Sequence, residues 1–130
     1  MNTPTNLKYT QSDEWVNLEG NVATVGITDY AQEQLSDIVY VEITVASGED
    51  VKKNSLIATL ESVKAAADIN TPVSGTVIEV NEELGNTPEL VNSDPYGKAW
   101  LVKLEVKDAS EVNSLMDAST YESYCSTRSH

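Results

Sequence analysis

The chain has 130 residues, which fits one compact domain, and it carries 21 acidic against 8 basic side chains. The net charge of −13 disfavours nucleic acid and anionic membranes as partners, because both attract basic surfaces, and it favours proteins with basic docking surfaces. Cys125 is the single cysteine and His130 the single histidine, which excludes an internal disulfide, a Cys/His zinc site and a Ser-His triad.

The N-terminal segment 1–8 has neither the apolar region of a signal peptide nor the Arg-rich amphipathic pattern of a transit peptide. No run of apolar residues reaches transmembrane length, and the lack of cysteine pairs is typical of a reducing compartment. We therefore expect a cytoplasmic, bacterial-like protein.

The first half of the chain shows apolar residues that alternate with period two, the pattern of half-buried strands. A strand is predicted at 21–27, and Thr28 is then placed to cap a short helix over 29–35. The next strand follows at once. Its predicted core face comprises Val39, Val41, Ile43 and Val45, with Ile38, Tyr40 and Glu42 on the opposite face.

Two short strand patterns, at 56–60 and 67–69, predict a hairpin with its turn around 61–65. Further strands are expected at 76–80 and, as the clearest of all, at 100–106. Both are separated from the hairpin by Gly and Pro turn signals.

The C-terminal region changes to helical spacing. Ser110 is predicted to cap one helical turn, and Ser119 with Glu122 forms a capping box for a second helix. Many short strands with terminal helices predict a mainly β fold, a small sandwich or flattened barrel. We expect one domain over 1–130, with a core at about 7–106 and helical decoration at about 108–126.

The hairpin turn carries a lysine, Lys64, among small side chains that would leave its amine unobstructed. A protruding amine held by strands on both sides suits the attachment of a tethered cofactor. The same pattern also describes an ordinary solvated turn residue. The residues by themselves leave both interpretations open.

Ordered blocks over nearly the whole chain resemble the glycine cleavage system H protein family and, more broadly, lipoyl and biotinyl carrier domains. The central block, Glu61-Ser62-Val63-Lys64-Ala65, is similar to the family's lipoylation motif. The other blocks are Leu7–Thr10, Glu14–Val16, Val22–Gln32, Asp37–Glu42, Pro72–Gly75, Val80–Asn81, Leu90–Asn92, Asp94–Gly97 and Trp100–Lys103.

This resemblance implies a flattened β-barrel sandwich of the lipoyl/biotinyl-carrier type that bears lipoic acid in amide linkage on Lys64. Lysine and lipoyl together would form an arm that reaches roughly 14 Å. The implied protein is a monomeric, non-catalytic carrier that takes an aminomethyl group from a pyridoxal-phosphate glycine decarboxylase to a tetrahydrofolate-dependent aminomethyltransferase. Dihydrolipoyl dehydrogenase would then reoxidise the arm, and a lipoylating enzyme would attach it.

The resemblance also implies roles for six further residues. Ser12, Glu14 and Asp68 match a polar cleft that holds the loaded arm, although each carboxylate is equally explained as a solvated surface group. Glu61, Gly48 and Gly75 match positions that the lipoylating enzyme recognises, although both glycines are also explained by turns that need them.

The chain departs from the family pattern at several positions. Histidines that members often carry are replaced by Asp13, Tyr30 and Gln34, and glycines by Ser36 and Ala99. None of these changes removes the acceptor lysine. We expect them to affect the tuning of the carrier more than the attachment of its cofactor.

Three alternatives to the glycine cleavage role differ in kind. A biotin carrier typically has methionine on both sides of its lysine, and Val63 and Ala65 match this poorly. A lipoate relay or donor protein for other complexes would share the same motif. An unmodified β-rich adaptor would leave the motif around Lys64 without a purpose.

Overall fold

The structure, a computed structural model, describes residues 1–128. Its strands are β1 Lys8–Tyr9, β2 Glu14–Glu19, β3 Val22–Ile27, β4 Ile38–Ile43, β5 Asp50–Val51, β6 Leu56–Ser62, β7 Ala66–Asn70, β8 Gly75–Val80 and β9 Val102–Val106. Its α-helices are α1 Asp29–Leu35, α2 Leu90–Ser93, α3 Ser110–Asn113 and α4 Ala118–Ser126, and a 3-10 helix spans Glu82–Gly85.

The strands form two antiparallel sheets. The large sheet has six strands in the order β1-β2-β3-β9-β8-β5, and the small sheet has three in the order β4-β6-β7. The core combines apolar side chains from both sheets, such as Val25 and Leu104 from the large one and Val41 and Leu60 from the small one. This confirms a mainly β sandwich with short helices, whose sheets do not close into one barrel.

The predicted helix over 29–35 is present with the predicted cap. The hydroxyl of Thr28 accepts a hydrogen bond from the backbone N–H of Ala31 at 3.1 Å. Thr28 is fully buried, and its hydroxyl also forms a hydrogen bond with the hydroxyl of Tyr121 at 2.7 Å. The cap therefore ties α1 to the C-terminal helix α4.

The predicted caps of the C-terminal helices are wrong by one or two residues. Ser110 lies inside α3, and its N–H and hydroxyl both donate to the carboxylate of Asp108. In α4 the cap is Asp117, which accepts from the N–H of Thr120 at 2.9 Å, while Ser119 lies in the first turn. In both places an aspartate two residues before the predicted serine cap accepts a hydrogen bond from a backbone N–H of the first helical turn.

Two strand predictions also need correction. The strand predicted at 100–106 begins at Val102, the first residue in the regular pairing with β3 and β8. Leu101 still contacts the sheet, since its N–H donates to the carbonyl of Val25 at 2.8 Å. In β4 the predicted alternation fails at Val39, which is 54% exposed, whereas Ile38 is buried. A bulge between Ile38 and Tyr40 causes this change of face.

A second, aromatic cluster joins the two ends of the described chain. The rings of Tyr9 and Tyr121 stack with centroids 4.7 Å apart, and Leu7, Trp15 and buried Cys125 belong to the same cluster. Helix α4 therefore packs against β1 and β2. Within residues 1–128, no helix is both long enough and apolar enough to cross a membrane.

Candidate functional site: the β6–β7 hairpin and the adjacent cleft

The predicted hairpin is present, and a compact hydrogen-bonded turn forms its tip. The N–H of Ser62 donates to the carbonyl of Ala65 at 2.7 Å. The Ser62 hydroxyl accepts from the N–H groups of Lys64 and Ala65, at 3.2 and 3.0 Å. Ser62 thus forms hydrogen bonds with most of the backbone polar groups of the turn and fixes the backbone from which Lys64 projects.

Lys64 itself is exposed at this tip. No ion pair or hydrogen bond to its amine is found among residues 1–128. The amine is therefore presented on a fixed backbone while its side chain stays unengaged, which leaves it accessible to another protein.

A second contact holds the tip from outside the hairpin. The N–H of Val63 donates to the carbonyl of Asp37 at 3.0 Å, in the loop between α1 and β4. Asn92 fixes that loop, because its side chain accepts from the N–H of Ile38 at 2.9 Å and donates to the carbonyl of Ser36 at 2.8 Å. Sequence reasoning gave Asn92 no role, since nothing local links it to residues more than 50 positions earlier.

The three residues predicted for recognition by a lipoylating enzyme lie in two places. Glu61 is exposed two positions before the turn's centre and pairs with Ala66 across the hairpin. Gly48 has φ of 92° and donates to the carbonyl of Val77, and Gly75 pairs within β8 against β9. Gly75 belongs to the large sheet, whereas Gly48 lies in the turn before β5 and bonds to β8. Each has a backbone reason to be glycine, a positive φ at Gly48 and the close approach of the Glu105 backbone at Gly75.

The outer face of the small sheet runs from the tip toward the N-terminal loop. Cross-strand pairs share a face, so Ala66, Asp68 and Asn70 of β7 lie in one outward row. Asp68 pairs with Thr59 and is exposed, with no hydrogen-bond or ion-pair partner for its side chain among the described residues. At roughly 3.4 Å per residue, β7 spans about 13 Å.

Glu14 lies at the far end of β7 and is buried, with 3% exposure. Its Oε1 accepts hydrogen bonds from the hydroxyls of Thr10 and Ser12, both at 2.7 Å, and the backbone of Asn70 lies close enough to favour the ionised carboxyl. Burial raises the pKa of the Glu14 carboxyl, and these hydrogen bonds oppose the rise. The structure thus brings Ser12 and Glu14 together, as predicted, at the strand that carries Asp68.

A cavity of about 640 Å³ opens beside Glu14. Its walls come from distant parts of the chain, since the β1–β2 loop, Pro72, the segment after α3 and Tyr124 of α4 all contribute. Lys53 and Ser12 add polar groups. A buried carboxylate bordering a cavity of this size can bind a small cation or a hydrogen-bond donor.

The loop that carries Ser12 and Glu14 is clamped by the C-terminal helix. Asp13, between them, adopts φ of 74°, and both its carboxylate oxygens accept from the guanidinium of Arg128, at 2.5 and 3.0 Å. Tyr121 also donates to Asp13 at 2.8 Å, and the hydroxyl of Tyr124 donates to the carbonyl of Gln11 at 3.1 Å. Sequence reasoning missed this clamp, because 115 positions separate Asp13 from Arg128.

Among residues 1–128, no group of three or more His, Cys, Asp or Glu side chains is arranged to hold a metal ion. The two groups that stand out in the site are the exposed amine of Lys64 at the tip and the buried carboxyl of Glu14 in the cleft.

Comparisons with known proteins agree with one another. The model of the family "Glycine cleavage H-protein" matches residues 7–128. The glycine cleavage system H protein of Thermotoga maritima is 52% identical over 118 residues, covering 91% of this chain and 94% of that protein. The mitochondrial H protein 2 of Arabidopsis thaliana is 52% identical over 119 residues, covering 92% and 76% respectively. A crystal structure of a glycine cleavage system H protein from Mycobacterium marinum superposes with a TM-score of 0.85 at 32% identity, covering 95% of this chain and 98% of that one.

Proposed function

Because the chain belongs to the glycine cleavage H-protein family, whose members are non-catalytic lipoate carriers of the glycine cleavage system, we propose that Lys64 is the lipoyl attachment site of this protein. The observation that supports this is the exposed, unengaged amine on a turn held by Ser62. The hairpin presents the amine to an enzyme without any rearrangement of the backbone. The residues therefore fit the cofactor that the family carries.

We further propose the complete relay that the family resemblance implies. When bound, the lipoyl group supplies a disulfide that accepts the aminomethyl group of glycine from a pyridoxal-phosphate decarboxylase. A tetrahydrofolate-dependent aminomethyltransferase and a dihydrolipoyl dehydrogenase then receive the cargo and the electrons. Lys64 contributes a flexible side chain on a rigid turn, which keeps the cargo at high local concentration for successive partners.

The cleft is proposed as the resting place of the cargo's amine. Glu14 is buried with hydroxyl donors and forms no ion pair within residues 1–128, so a protonated amine would supply its counter-charge. Ser12 would stay bonded to the carboxylate, and Asp68 lies on the route along β7 from the tip. The 13 Å span of that strand is close to the roughly 14 Å reach of the arm.

Recognition by the lipoylating enzyme is proposed to use Glu61 directly. Its exposed carboxylate lies on the outer face beside the turn, where an enzyme that binds Lys64 would meet it. Gly48 and Gly75 would act only through the shape of the large sheet, since their bonding partners belong to β8 and β9. A cytoplasmic location and a monomeric state stay predictions.

The attachment is tested by intact mass and peptide mapping after incubation with lipoic acid, ATP and a purified lipoylating enzyme. We expect one lipoyl increment, confined to Lys64, and none in Lys64→Arg, which should keep the parent's melting temperature because the site is exposed. Lys53 is also exposed and serves as an internal control, because peptide mapping should find it unmodified. An unmodified chain, under conditions that modify a control carrier, would overturn the proposal and favour the adaptor alternative.

The cleft and the relay need a reconstituted system. Lipoylated protein is combined with glycine decarboxylase, and release of ammonia from the loaded carrier is followed with time. Glu14→Gln should hasten this loss while leaving lipoylation unchanged, and an unaltered rate would remove the cleft from the mechanism. Failure to accept any aminomethyl group from the decarboxylase would favour a lipoate relay role.

A further inference from the structure

A β-bulge places an apolar side chain on the surface beside the hairpin tip. Ile38 pairs with Ser62 and Tyr40 with Glu61, so Val39 has no partner on β6. As a result Val39 and Tyr40 are consecutive and both exposed, by 54% and 47%. Bulges disrupt the hydrogen-bond ladder, and they commonly re-aim side chains at functional sites.

Val63 completes a small apolar surface with these two residues. It is 66% exposed, and its N–H bonds to the carbonyl of Asp37, which places it next to the bulge. We call Val39, Tyr40 and Val63 the tip patch. Residues 1–128 expose six large apolar side chains, and three of them are in this patch next to Lys64.

Acidic side chains border the tip patch. Asp37 and Glu42 are exposed on its β4 side, and Glu61 lies opposite Tyr40 on β6. A groove of about 360 Å³ continues from Tyr40 and is lined by Glu42 and Glu82. The surface complementary to this arrangement has an apolar centre and a basic rim.

The position of Lys64 indicates which partner must touch this surface. A lysine side chain extends only about 6 Å from its Cα, so an enzyme that reacts with Nζ must approach the backbone of the turn itself. Enzymes that act later on the end of a long arm have no such need. The acylating enzyme is therefore the partner whose contact with the tip patch is required by distance.

We propose that the tip patch and its acidic rim dock the enzyme that acylates Lys64, by filling an apolar pocket bordered by basic side chains. This inference rests on the proposed attachment of lipoate at Lys64. In the reaction, the Lys64 ammonium loses a proton and its nitrogen attacks the acyl carbon of a lipoyl adenylate. The new C–N bond replaces the bond to the nucleotide, which leaves as AMP, and a second proton is lost as the amide forms.

The test is steady-state lipoylation of the full chain by a purified lipoylating enzyme with lipoic acid and ATP. We expect Val39→Ser/Tyr40→Ser to lower kcat/KM about tenfold, mainly through KM, because well-packed apolar anchors carry most of an interface's binding energy. The conservative pair Val39→Ile/Tyr40→Phe should restore most of the rate. Thermal unfolding of each variant shows whether the fold is kept, and Val63→Ser provides an independent variant outside β4.

Ile78→Ser is the matched control. Ile78 is also an apolar residue at a bulge, is 42% exposed, and lies on β8 of the large sheet. The Ile78→Ser protein should be lipoylated at Lys64 at the parent's rate. If the patch variants match this control while the parent is modified at Lys64, the docking surface is refuted and the attachment site stands.

The charge of the rim is tested separately. Glu42→Gln should lower kcat/KM about threefold at low salt and have little effect at high salt, because an exposed charge acts over a screened distance. Glu105→Gln, an exposed change on β9, is the control. Equal effects of the two changes would refute the electrostatic part of the inference. A parent chain that is not lipoylated at all would overturn the proposed attachment at Lys64. That outcome is distinguishable from a failure of the patch variants or of the rim variants, in which the parent is still modified.

Discussion

Replacing Ser36 with glycine is expected to stabilise this protein. Ser36 ends α1 with φ of 67° and ψ of −153°, a region of backbone space that is nearly restricted to glycine. Such a conformation costs a non-glycine residue about 1–3 kcal/mol. The Ser36 carbonyl accepts a bond from Asn92, and that bond does not depend on the side chain. The strained backbone at Ser36 is therefore not offset by a side-chain hydrogen bond to any other residue within 1–128.

The expected gain follows from two opposing effects. Relief of strain contributes about 1–3 kcal/mol, and the added freedom of glycine in the unfolded chain removes about 0.4–1 kcal/mol. When the lower ends of the two ranges are taken together and the upper ends together, the net increase in the free energy of unfolding is about 0.5–2 kcal/mol. For a chain of this size, that corresponds to a rise in melting temperature of roughly 2–8 °C.

The assay is guanidinium and thermal unfolding of the parent and Ser36→Gly, followed by circular dichroism. Ser123→Gly, in the exposed part of α4, is the control and should lose up to about 1 kcal/mol, since glycine weakens a helix. Asn54→Gly tests the same idea at φ of 73°, where asparagine is already tolerated and little gain is expected. A Ser36→Gly protein no more stable than the parent would show that the loop relaxes the strain by another route.

Three further predictions concern the cleft and the large sheet. Burial raises the pKa of Glu14, so ionisation of this carboxyl opposes folding. The free energy of unfolding should therefore fall as the pH rises from the ordinary glutamate pKa through the raised one. Glu14→Gln should flatten this fall, as measured by the melting temperature from pH 4 to 8. Arg128→Ala should cost about 1–3 kcal/mol in denaturant unfolding, since it leaves the largely buried carboxylate of Asp13 without its cation. Gly75→Ala should lower stability by about 1–3 kcal/mol, since a Cβ there would overlap the backbone of β9.

Each of these predictions has a contrary outcome. A Glu14→Gln protein with the parent's pH profile would mean that the carboxyl does not titrate differently on folding. Lys107→Ala, which breaks the exposed pair with Asp50, should change stability by less than about 1 kcal/mol, and an equal effect of Arg128→Ala would contradict the clamp. A fully stable Gly75→Ala would leave recognition as the reason for that glycine.

Local patterns in the sequence predicted the local features of the fold. The cap at Thr28 and the hairpin around Lys64 depend on residues within a few positions of one another, and both are present. The strands β1 and β5 have two residues each, too short for any periodic signal, and their partners in the sheet define them. The face of Val39 was mispredicted because a bulge shifts the alternation, and no residue type there signals it.

The site divides in the same way. The exposed position of Lys64 at a hairpin turn was predicted from the local sequence, and the proximity of Ser12 and Glu14 was predicted from the family resemblance. The hydrogen bonds that join Ser12 and Glu14 could not be predicted. The clamp from Arg128 and the brace from Asn92 connect positions far apart in sequence. Pairings of this kind depend on the packing of the whole chain, and a single sequence does not reveal them.

The two halves of the site differ in how much of the chain must be made before they can form. The hairpin at 56–70 forms through hydrogen bonds between residues close in sequence. It can therefore form as soon as that segment and the loop before β4, which bonds to Val63, have been made. The loop that borders the cleft is held by the bond between Asp13 and Arg128, so the cleft is completed only after Arg128 has been made. Contacts between distant positions form late in folding. A growing or truncated chain would therefore present the hairpin turn with Lys64 before the cleft beside Glu14 has formed. Truncation of the chain before Arg128 should therefore leave the proposed lipoylation of Lys64 intact and weaken the proposed protection of the cargo in the cleft.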